Sequence, residues 1–155
     1  MDNNQLKILL VDDEPDILEI LGYNLSAQGY EIHSATNGIQ ALKKANKVLP
    51  DLIVLDVMMP EMDGIEACEK IRQIDALKDV LVVFLSARGE EYSQVAGLEA
   101  GADDYITKPI KPKLLVSKVK SLLRRKKEST ETAQVIEFGT IVINREAYKV
   151  EKDGK

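Results

Sequence analysis

Residues 52–56 read Leu52-Ile53-Val54-Leu55-Asp56, four aliphatic side chains followed by one carboxylate. An apolar run without polar alternation is typical of a strand that is buried on both faces of a parallel sheet. The aliphatic run stops at Asp56, so this carboxylate is expected at the carboxyl end of the strand. The run therefore predicts a central strand with a polar side chain at its carboxyl end.

The segments on either side of this run repeat the order strand, then helix. Five such units with short connections predict a parallel sheet covered by helices on both faces, because each parallel crossover requires a helix and is right-handed. The predicted fold class is α/β, a doubly wound five-stranded sheet. The predicted strands are residues 6–11, 31–35, 52–55, 80–85 and 104–107, and the predicted helices run from 15 to near 29, from 38 through 45, and over 64–73, 90–100 and 111–126.

Length and composition restrict the class of protein. The 155 residues fit one domain with at most part of a second, and 45% hydrophobic with 30% charged residues is typical of a folded globular chain. No apolar run approaches the ~20 residues that cross a bilayer, and the first residues lack a secretory layout, so a cytoplasmic protein without membrane contact is expected. Cys68 is the only cysteine, which excludes an internal disulfide, and its spacing from Ile65 and Ile71 predicts packing in a buried helix stripe.

The net charge of −5 conceals a segregation of charge along the chain. Residues 1–104 carry 8 Lys and Arg against 20 Asp and Glu, whereas residues 105–127 carry 9 against 0. The basic stretch is interpreted as the solvated face of one helix. A nucleic-acid surface is the alternative, and it is disfavoured because leucine and valine interrupt the charges at helical spacing.

Polar side chains follow the predicted strands at the edge where ligands bind in open α/β sheets. Clustered carboxylates there repel each other and either take up protons or bind a cation, and an oxygen-only set suits Mg²⁺ together with a phosphate group. One acid at a strand end would be interpreted as a cap or turn residue, but this combination favours a magnesium site. The set comprises Asp12, Asp13 and Glu14 after the first strand, Asp56 after the third, Ser86 after the fourth and Lys108 after the fifth.

Asp56 is the predicted nucleophile of this set. An aspartate carboxylate can attack a phosphoryl group to give an aspartyl phosphate, a reaction that depends on in-line positioning and charge neutralisation. Lys108 and the cation would neutralise charge, and the Ser86 hydroxyl would hydrogen-bond a phosphoryl oxygen. Asp56 ends the central strand, so the other groups flank it.

Six short motifs occur between residues 6 and 126. They are LVDDE at 10–14, LDVMMP at 55–60, MDG at 62–64, LSA at 85–87, GADDY at 101–105 and KP at 108–109. Together they closely resemble the receiver (CheY-like) domain of bacterial two-component response regulators. The resemblance implies the flavodoxin-like strand order 2-1-3-4-5 and a protein that receives a phosphoryl group from a sensor histidine kinase.

The resemblance also implies a role for each residue of the predicted site. Asp56 is the phosphoacceptor and belongs to the metal site, Asp13 and the backbone carbonyl of Met58 coordinate Mg²⁺ directly, and Asp12 acts through water. Lys108 contacts the phosphate.

A two-state switch follows from the same resemblance. Phosphorylation adds roughly −1.5 to −2 charge and draws the Ser86 hydroxyl toward the phosphoryl group, so that Tyr105 rotates into the space that opens. The face formed by the fourth helix, the fifth strand and the fifth helix is then remodelled. The Lys108–Pro109 bond is expected to be cis, although only ~5–6% of X–Pro bonds are.

Residues 127–155 depart from the α/β pattern. The receiver domain is assigned to residues 1–126, and residues 127–134 are polar and aperiodic, as in a linker. Residues 135–155, with strand-like alternation at 135–138, 140–143 and 148–151, resemble the first antiparallel strands of the winged-helix DNA-binding domain in the OmpR/PhoB subclass. DNA binding is therefore expected only through a full-length effector domain, and not for a chain truncated early in it.

The subclass resemblance further implies a phosphorylation-promoted homodimer in which acidic residues of strand five face basic residues of the final helix. Asp103, Asp104 and Lys118 fit that pattern. Leu114 occupies a position that is usually acidic in the subclass, so one ion pair is lost. Lys118 occupies a position that is usually arginine, so one bidentate contact is lost.

The chain is expected to be a phosphoacceptor that catalyses its own phosphorylation and slow dephosphorylation, rather than an enzyme. A nucleotide-dependent oxidoreductase is disfavoured because acidic residues replace the glycine-rich turn after the first strand. A phosphatase would normally have a second acid at position 58, where Met58 stands. A receiver-like module that binds partners without phosphorylation remains the main alternative.

Overall fold

The computed structural model describes residues 5–59, 61–86 and 99–139, with side chains described as far as residue 126. Strands and helices alternate along the chain, with a short 3-10 helix over Asp75–Leu77 before the fourth strand. The strands are β1 (Lys7–Val11), β2 (Glu31–Ala35), β3 (Leu52–Asp56), β4 (Leu81–Ser86) and β5 (Asp104–Thr107), and the helices are α1 (Pro15–Ser26), α2 (Gly38–Val48), α3 (Gly64–Arg72) and the final helix (Pro112–Gly139).

The five strands form one parallel sheet in the order β2-β1-β3-β4-β5. The predicted fold is confirmed, including β3 at the centre, where all five residues are buried. Leu55 pairs with Val11 on one side and with Phe84 on the other. Because the strands are parallel and in this register, the residues that follow β1, β3, β4 and β5 share one edge, which we call the reactive edge.

The core consists of aliphatic side chains from the strands and from the inner faces of the helices. Such burial supplies most of the driving force for folding. Cys68 is fully buried in this core, which confirms the packing predicted from its spacing. The main core cluster joins Leu9, Val11, Ala35, Ala41, Ala45, Ile53, Leu55, Val57, Ala67, Cys68, Ile71, Leu77, Val80, Val82 and Phe84.

Two helices on the reactive side begin with side-chain caps. Asn37 Oδ1 accepts from Gln40 N at 2.8 Å, and Asp63 Oδ1 accepts from Glu66 N at 2.8 Å. These bonds satisfy amide donors that have no partner inside the helix.

Gly64 fixes α3 against the end of β3. A Cβ atom added to Gly64 would lie 2.2 Å from the carbonyl oxygen of Asp56, and Gly64 N donates to Val57 O at 2.8 Å. The helix therefore starts in direct backbone contact with the strand end that carries Asp56.

The final helix is longer than predicted. It continues to Gly139, so the predicted linker at 127–134 and the predicted strand at 135–138 are helical instead. The physical reason is that extending an existing helix costs much less than starting one, so a polar segment without apolar period can still continue it. Most of the predicted helix at 90–100 and the predicted strands at 140–143 and 148–151 lie outside the described residues.

The chain divides into two compact units, Met1–Val119 and Lys120–Lys155, and the sheet with α1, α2 and α3 belongs to the first.

Within the described ranges, no helix has the length and apolar character needed to cross a bilayer. The turn between α1 and β2 contains Gly29 at φ 96°, where an added Cβ would meet no atom of the described residues within 4 Å.

Candidate functional site

Asp56 is the last residue of β3 and lies at the reactive edge with only 4% of its surface exposed. Its Oδ1 accepts a hydrogen bond from Met58 N at 3.3 Å, and its Oδ2 lies 3.5 Å from Lys108 Nζ. A buried carboxylate with one amide donor and one ammonium neighbour retains lone pairs for a further ligand. The geometry suits a nucleophile or a metal ligand.

Asp12 follows β1 and is 1% exposed. Its backbone N donates to Ala35 O at 3.2 Å, which fixes the main chain, and its carboxylate Oδ1 accepts from Glu14 N at 2.9 Å. The buried Oδ2 makes no hydrogen bond to any residue that the structure describes, although Lys108 Nζ lies 3.3 Å away. A buried oxygen in this state is suited to a cation.

The exposed Asp13 completes a group of three carboxylates. Ligand oxygens of Asp12, Asp13 and Asp56 all lie within 4.8 Å of one another. Mg²⁺ prefers oxygen ligands and usually binds one or two carboxylates directly, with water and phosphate at the remaining positions. The residues therefore fit a magnesium ion.

Lys108 follows β5 and reaches this carboxylate group. Its backbone N donates to Ser86 O at 2.7 Å, which fixes the start of the loop against the end of β4. The Lys108–Pro109 peptide bond is cis, the isomer that the resemblance implies. The side chain is 20% exposed and its Nζ also lies 3.5 Å from Glu14 Oε2. Spacing placed Glu14 at this edge but did not predict its contact with Lys108.

The surroundings shift the pKa of Asp56, Asp12 and Lys108. Burial, with the Asp12 charge in addition, raises the pKa of Asp56 to about 6. Burial also raises the pKa of Asp12, against the opposing effects of the Glu14 amide and Lys108. Burial lowers the pKa of Lys108, but the charges of Asp56 and Asp12 outweigh it and the net direction is upward. A second positive charge at this edge would favour the ionised carboxylates.

Ser86 and Tyr105 occupy different positions relative to this group. Ser86 is the last residue of β4, is 1% exposed and pairs in register with Thr107, so it belongs to the reactive edge. Tyr105 lies further back on β5, in register with Phe84, and is half-buried against the core. Met58 lies just beyond Asp56 and its surface is 61% exposed.

The three residues predicted to form a dimer face already have partners inside the chain. Lys118 Nζ lies 3.1 Å from Asp104 Oδ2. Asp103 Oδ2 accepts from Val82 N at 2.9 Å and lies 3.2 Å from Arg72 Nη2. These contacts occupy the acidic side chains in the single chain.

Arg72 is a residue whose role the sequence did not predict. It lies at the end of α3 and donates to three backbone carbonyls, those of Lys78, Val80 and Gly101, and to the Asp103 carboxylate. All five guanidinium N–H groups are used, which an arginine can do because its donors are fixed in one plane. We call this set of contacts the Arg72 clamp; it ties the segments that enter β4 and β5, opposite to the reactive edge.

Known proteins match both the sequence and the fold. The family model of the response regulator receiver domain matches residues 8–120. The alkaline phosphatase synthesis transcriptional regulatory protein PhoP of Bacillus subtilis (strain 168) is 47% identical over 129 residues, which cover 83% of this chain and 53% of PhoP. The transcriptional regulatory protein ResD of the same organism is 43% identical, with 97% of this chain and 64% of ResD covered.

Among solved structures, the chemotaxis response regulator CheY4 of Vibrio cholerae is similar, with a TM-score of 0.72 and 30% identity over 76% of this chain and 98% of CheY4. The chain thus spans between about half and two thirds of the curated relatives PhoP and ResD. With its family match over residues 8–120 and its parallel sheet in the order β2-β1-β3-β4-β5, the chain belongs to the response regulator receiver domain family.

Proposed function

We propose that Asp56 accepts a phosphoryl group from a sensor histidine kinase and that this modification switches the chain between two states that control a transcriptional effector domain. Phosphotransfer from a histidine kinase is the general function of receiver domains, and PhoP and ResD are transcriptional regulators by name. The observation that carries the proposal is the buried Asp56 carboxylate, 3.5 Å from Lys108 Nζ and beside Asp12.

In the proposed reaction, an Asp56 carboxylate oxygen attacks phosphorus in line with the bond that breaks. The new bond joins oxygen to phosphorus, the phosphorus–nitrogen bond of the donor histidine breaks, and the electron pair leaves with the imidazole. Lys108, already 3.5 Å from Asp56, stabilises negative charge on the phosphoryl oxygens. Nothing is oxidised or reduced.

Asp12, Asp13, Asp56 and the backbone carbonyl of Met58 would hold the magnesium ion, with Asp12 acting through water. When bound, the ion offsets the repulsion among the carboxylates and neutralises charge on the phosphoryl group. The buried and hydrogen-bond-deficient Oδ2 of Asp12 supports this assignment.

Ser86 and Tyr105 are the proposed switch residues. Ser86 is buried beside Lys108 at the reactive edge, so a hydroxyl contact with the phosphoryl group would pull on the end of β4. Tyr105 on β5 is paired in register with Phe84, which lies on β4 together with Ser86, so movement of β4 reaches Tyr105 directly. A phosphoryl group shifts this equilibrium only by binding one state more strongly than the other.

The phosphorylated chain is proposed to form a homodimer through Asp103, Asp104 and Lys118. The intrachain pair between Asp104 and Lys118 would then be exchanged for pairs with a second copy, whereas the contacts of Asp103 with Arg72 and Val82 would have to open. DNA contact is proposed only through a full-length effector domain. As the partner of a sensor kinase, the chain is proposed to act in the cytoplasm.

The test is phosphorylation by acetyl phosphate with Mg²⁺, followed by mass spectrometry of the intact chain. One phosphoryl group is expected on the parent and none on Asp56→Ala. Asp79→Asn is the matched control, because it removes an exposed aspartate away from the reactive edge and should leave the modification intact. A parent that stays unmodified, or an Asp56→Ala variant that is modified to the same extent, contradicts the proposal and favours a module that binds partners without phosphorylation.

The phosphoryl group is expected to be slowly lost, over minutes or longer, because Met58 has no carboxamide or carboxylate to orient a hydrolytic water. Met58→Asn should shorten the lifetime several-fold, and since the side chain is 61% exposed, the substitution should leave stability unchanged. Decay of the phosphorylated form after removal of the donor measures both lifetimes. A lifetime of a few seconds for the parent would overturn the expectation.

A further inference from the structure

Glu14 is a further carboxylate at the reactive edge, and the proposed phosphoryl transfer has no role for it. Its Oε2 lies 3.5 Å from Lys108 Nζ, while 60% of the side chain is exposed. It therefore shares the lysine with the buried Asp12 and Asp56 but remains in contact with solvent.

The backbone of Glu14 is held independently of its side chain. Glu14 N donates to Asp12 Oδ1 at 2.9 Å, and Glu14 O accepts from Ile17 N at 3.1 Å and from Leu18 N at 3.3 Å. Although Glu14 is the N-cap residue of α1, its side chain makes no capping hydrogen bond to the described residues of that helix. The side chain can therefore change without loss of these contacts, and its interaction is with Lys108.

Glu14 adds negative charge to an edge whose other charges can balance. The three carboxylates of Asp12, Asp13 and Asp56 are balanced by a divalent cation together with Lys108. Among the described residues at this edge, Glu14 then adds one further negative charge close to the phosphoryl-accepting position. A negative charge in contact with solvent lowers the rate at which an anionic molecule reaches the site and the time for which it stays bound there.

We propose that Glu14 is a specificity-determining residue that disfavours dianionic acyl phosphates relative to donors in which phosphorus is bonded to nitrogen and the net charge is lower. The inference rests on the proposed phosphorylation of Asp56. In both cases an Asp56 oxygen bonds to phosphorus. With acetyl phosphate the phosphorus–oxygen bond breaks and acetate leaves with the electron pair; with phosphoramidate, whose nitrogen is already protonated, the phosphorus–nitrogen bond breaks and ammonia leaves.

The effect should depend on donor charge in a defined way. Electrostatic work is proportional to the charge of the donor, so the fold-change in rate for a dianion is the square of that for a monoanion. The Glu14 carboxylate and a donor at the reactive edge would be several ångströms apart, with water around them. Removal of the Glu14 charge should therefore raise the phosphorylation rate about twofold with phosphoramidate and about fourfold with acetyl phosphate. Both increases should vanish near 1 M salt, where the screening length is ~3 Å.

The experiment measures phosphorylation rates of the whole chain with each donor and Mg²⁺, at low and at high salt. Glu14→Gln removes the charge and keeps the shape, and Glu14→Asp keeps the charge. Asp16→Asn is the matched control, because it removes an exposed carboxylate from the first turn of the same helix, and no Lys108 contact of Asp16 is found among the described residues. Glu14→Ala repeats the charge removal without an amide.

The expected result is a rise in the ratio of acetyl phosphate to phosphoramidate rates for Glu14→Gln and Glu14→Ala, with parent-like ratios for Glu14→Asp and Asp16→Asn. Equal rises with both donors, an unchanged ratio, or the same rise in Asp16→Asn would overturn the inference and leave the proposed function standing. If the parent accepts a phosphoryl group from neither donor, the proposed function fails, and this inference fails with it.

Discussion

The Asp56 carboxylate lies where burial and the neighbouring Asp12 both oppose its charge, and its pKa rises from the ordinary 3.8 to about 6. A carboxylate that binds its proton more tightly in the folded state than in the unfolded state is most favourable to folding when it is protonated. Without a divalent cation, the folded chain should therefore lose stability as the pH rises from about 4 through about 6.

This loss can be isolated with Asp56→Asn, which cannot ionise. In a chelating buffer, raising the pH from about 4 to about 7 should lower the free energy of unfolding of the parent, relative to the variant, on the order of 2 kcal/mol. Denaturant unfolding at several pH values measures the difference. If parent and variant show the same pH dependence of stability, folding does not raise the pKa of Asp56.

For single residues, the sequence predicts well which ones lie at strand ends, but it predicts poorly which contacts a long side chain makes. Asp12, Asp56 and Lys108 could be placed together because parallel strands end at one edge. The contact of Glu14 with Lys108 and the contacts of Arg72 depend on where a flexible side chain reaches in space, which neither periodicity nor a motif encodes.

At the scale of single elements, α3 is held against β3 by a backbone contact that leaves no room for a side chain. Gly64→Ala should destabilise the fold by about 2 kcal/mol or more, because its Cβ would lie 2.2 Å from Asp56 O, even though alanine favours helix. Thermal or denaturant unfolding checks the change.

Gly22 in α1 provides the opposite control. The nearest atom to an added Cβ there is 3.8 Å away, on Ile32, so Gly22→Ala should stabilise the chain by ~0.5–1 kcal/mol through helix propensity alone. Equal effects of the two substitutions would mean that the close approach at Gly64 is not what matters.

The Arg72 clamp joins α3 to the segments entering β4 and β5. Arg72→Lys keeps the charge but loses the planar set of donors, so it should lower the free energy of unfolding by about 2 kcal/mol. Arg124→Lys makes the same substitution at an exposed position of the final helix and should change stability by less than ~0.5 kcal/mol. A negligible effect at Arg72 would show that backbone pairing alone fixes these segments.

Element boundaries were predictable to the extent that burial determined them. The buried runs of β3 and β4 were placed within one residue at each end, because a strand covered on both faces is apolar throughout. The final helix was placed too short because beyond residue 126 no apolar period indicates its continuation to Gly139. The order of strands in the sheet came from family resemblance, since periodicity does not determine it.

At the scale of the whole molecule, the acidic group proposed to hold Mg²⁺ forms only when distant segments of the chain come together. The parallel pairing of β1 with β3 brings carboxylate oxygens of Asp12, Asp13 and Asp56 within 4.8 Å of one another. An ion that binds the folded and not the unfolded chain stabilises the entire fold by mass action, by about 2.7 kcal/mol at 100 times its dissociation constant.

Added Mg²⁺ should therefore raise the thermal midpoint of the parent progressively with concentration. Asp13→Asn should remove most of this rise, and because it relieves repulsion among the three carboxylates, the variant should be at least as stable as the parent in chelating buffer. Asp79→Asn should respond as the parent does. A parent insensitive to Mg²⁺ at constant ionic strength would exclude the assigned ion.

The open turn at Gly29 lies where the chain enters β2, at the end of the sheet away from the reactive edge, and no described atom lies within 4 Å of an added Cβ there. Exposed turns of this kind tolerate inserted sequence better than packed ones. A fluorescent reporter or an affinity tag spliced into this turn should consequently leave the carboxylates and Lys108 of the reactive edge undisturbed, which makes the turn a practical point of attachment.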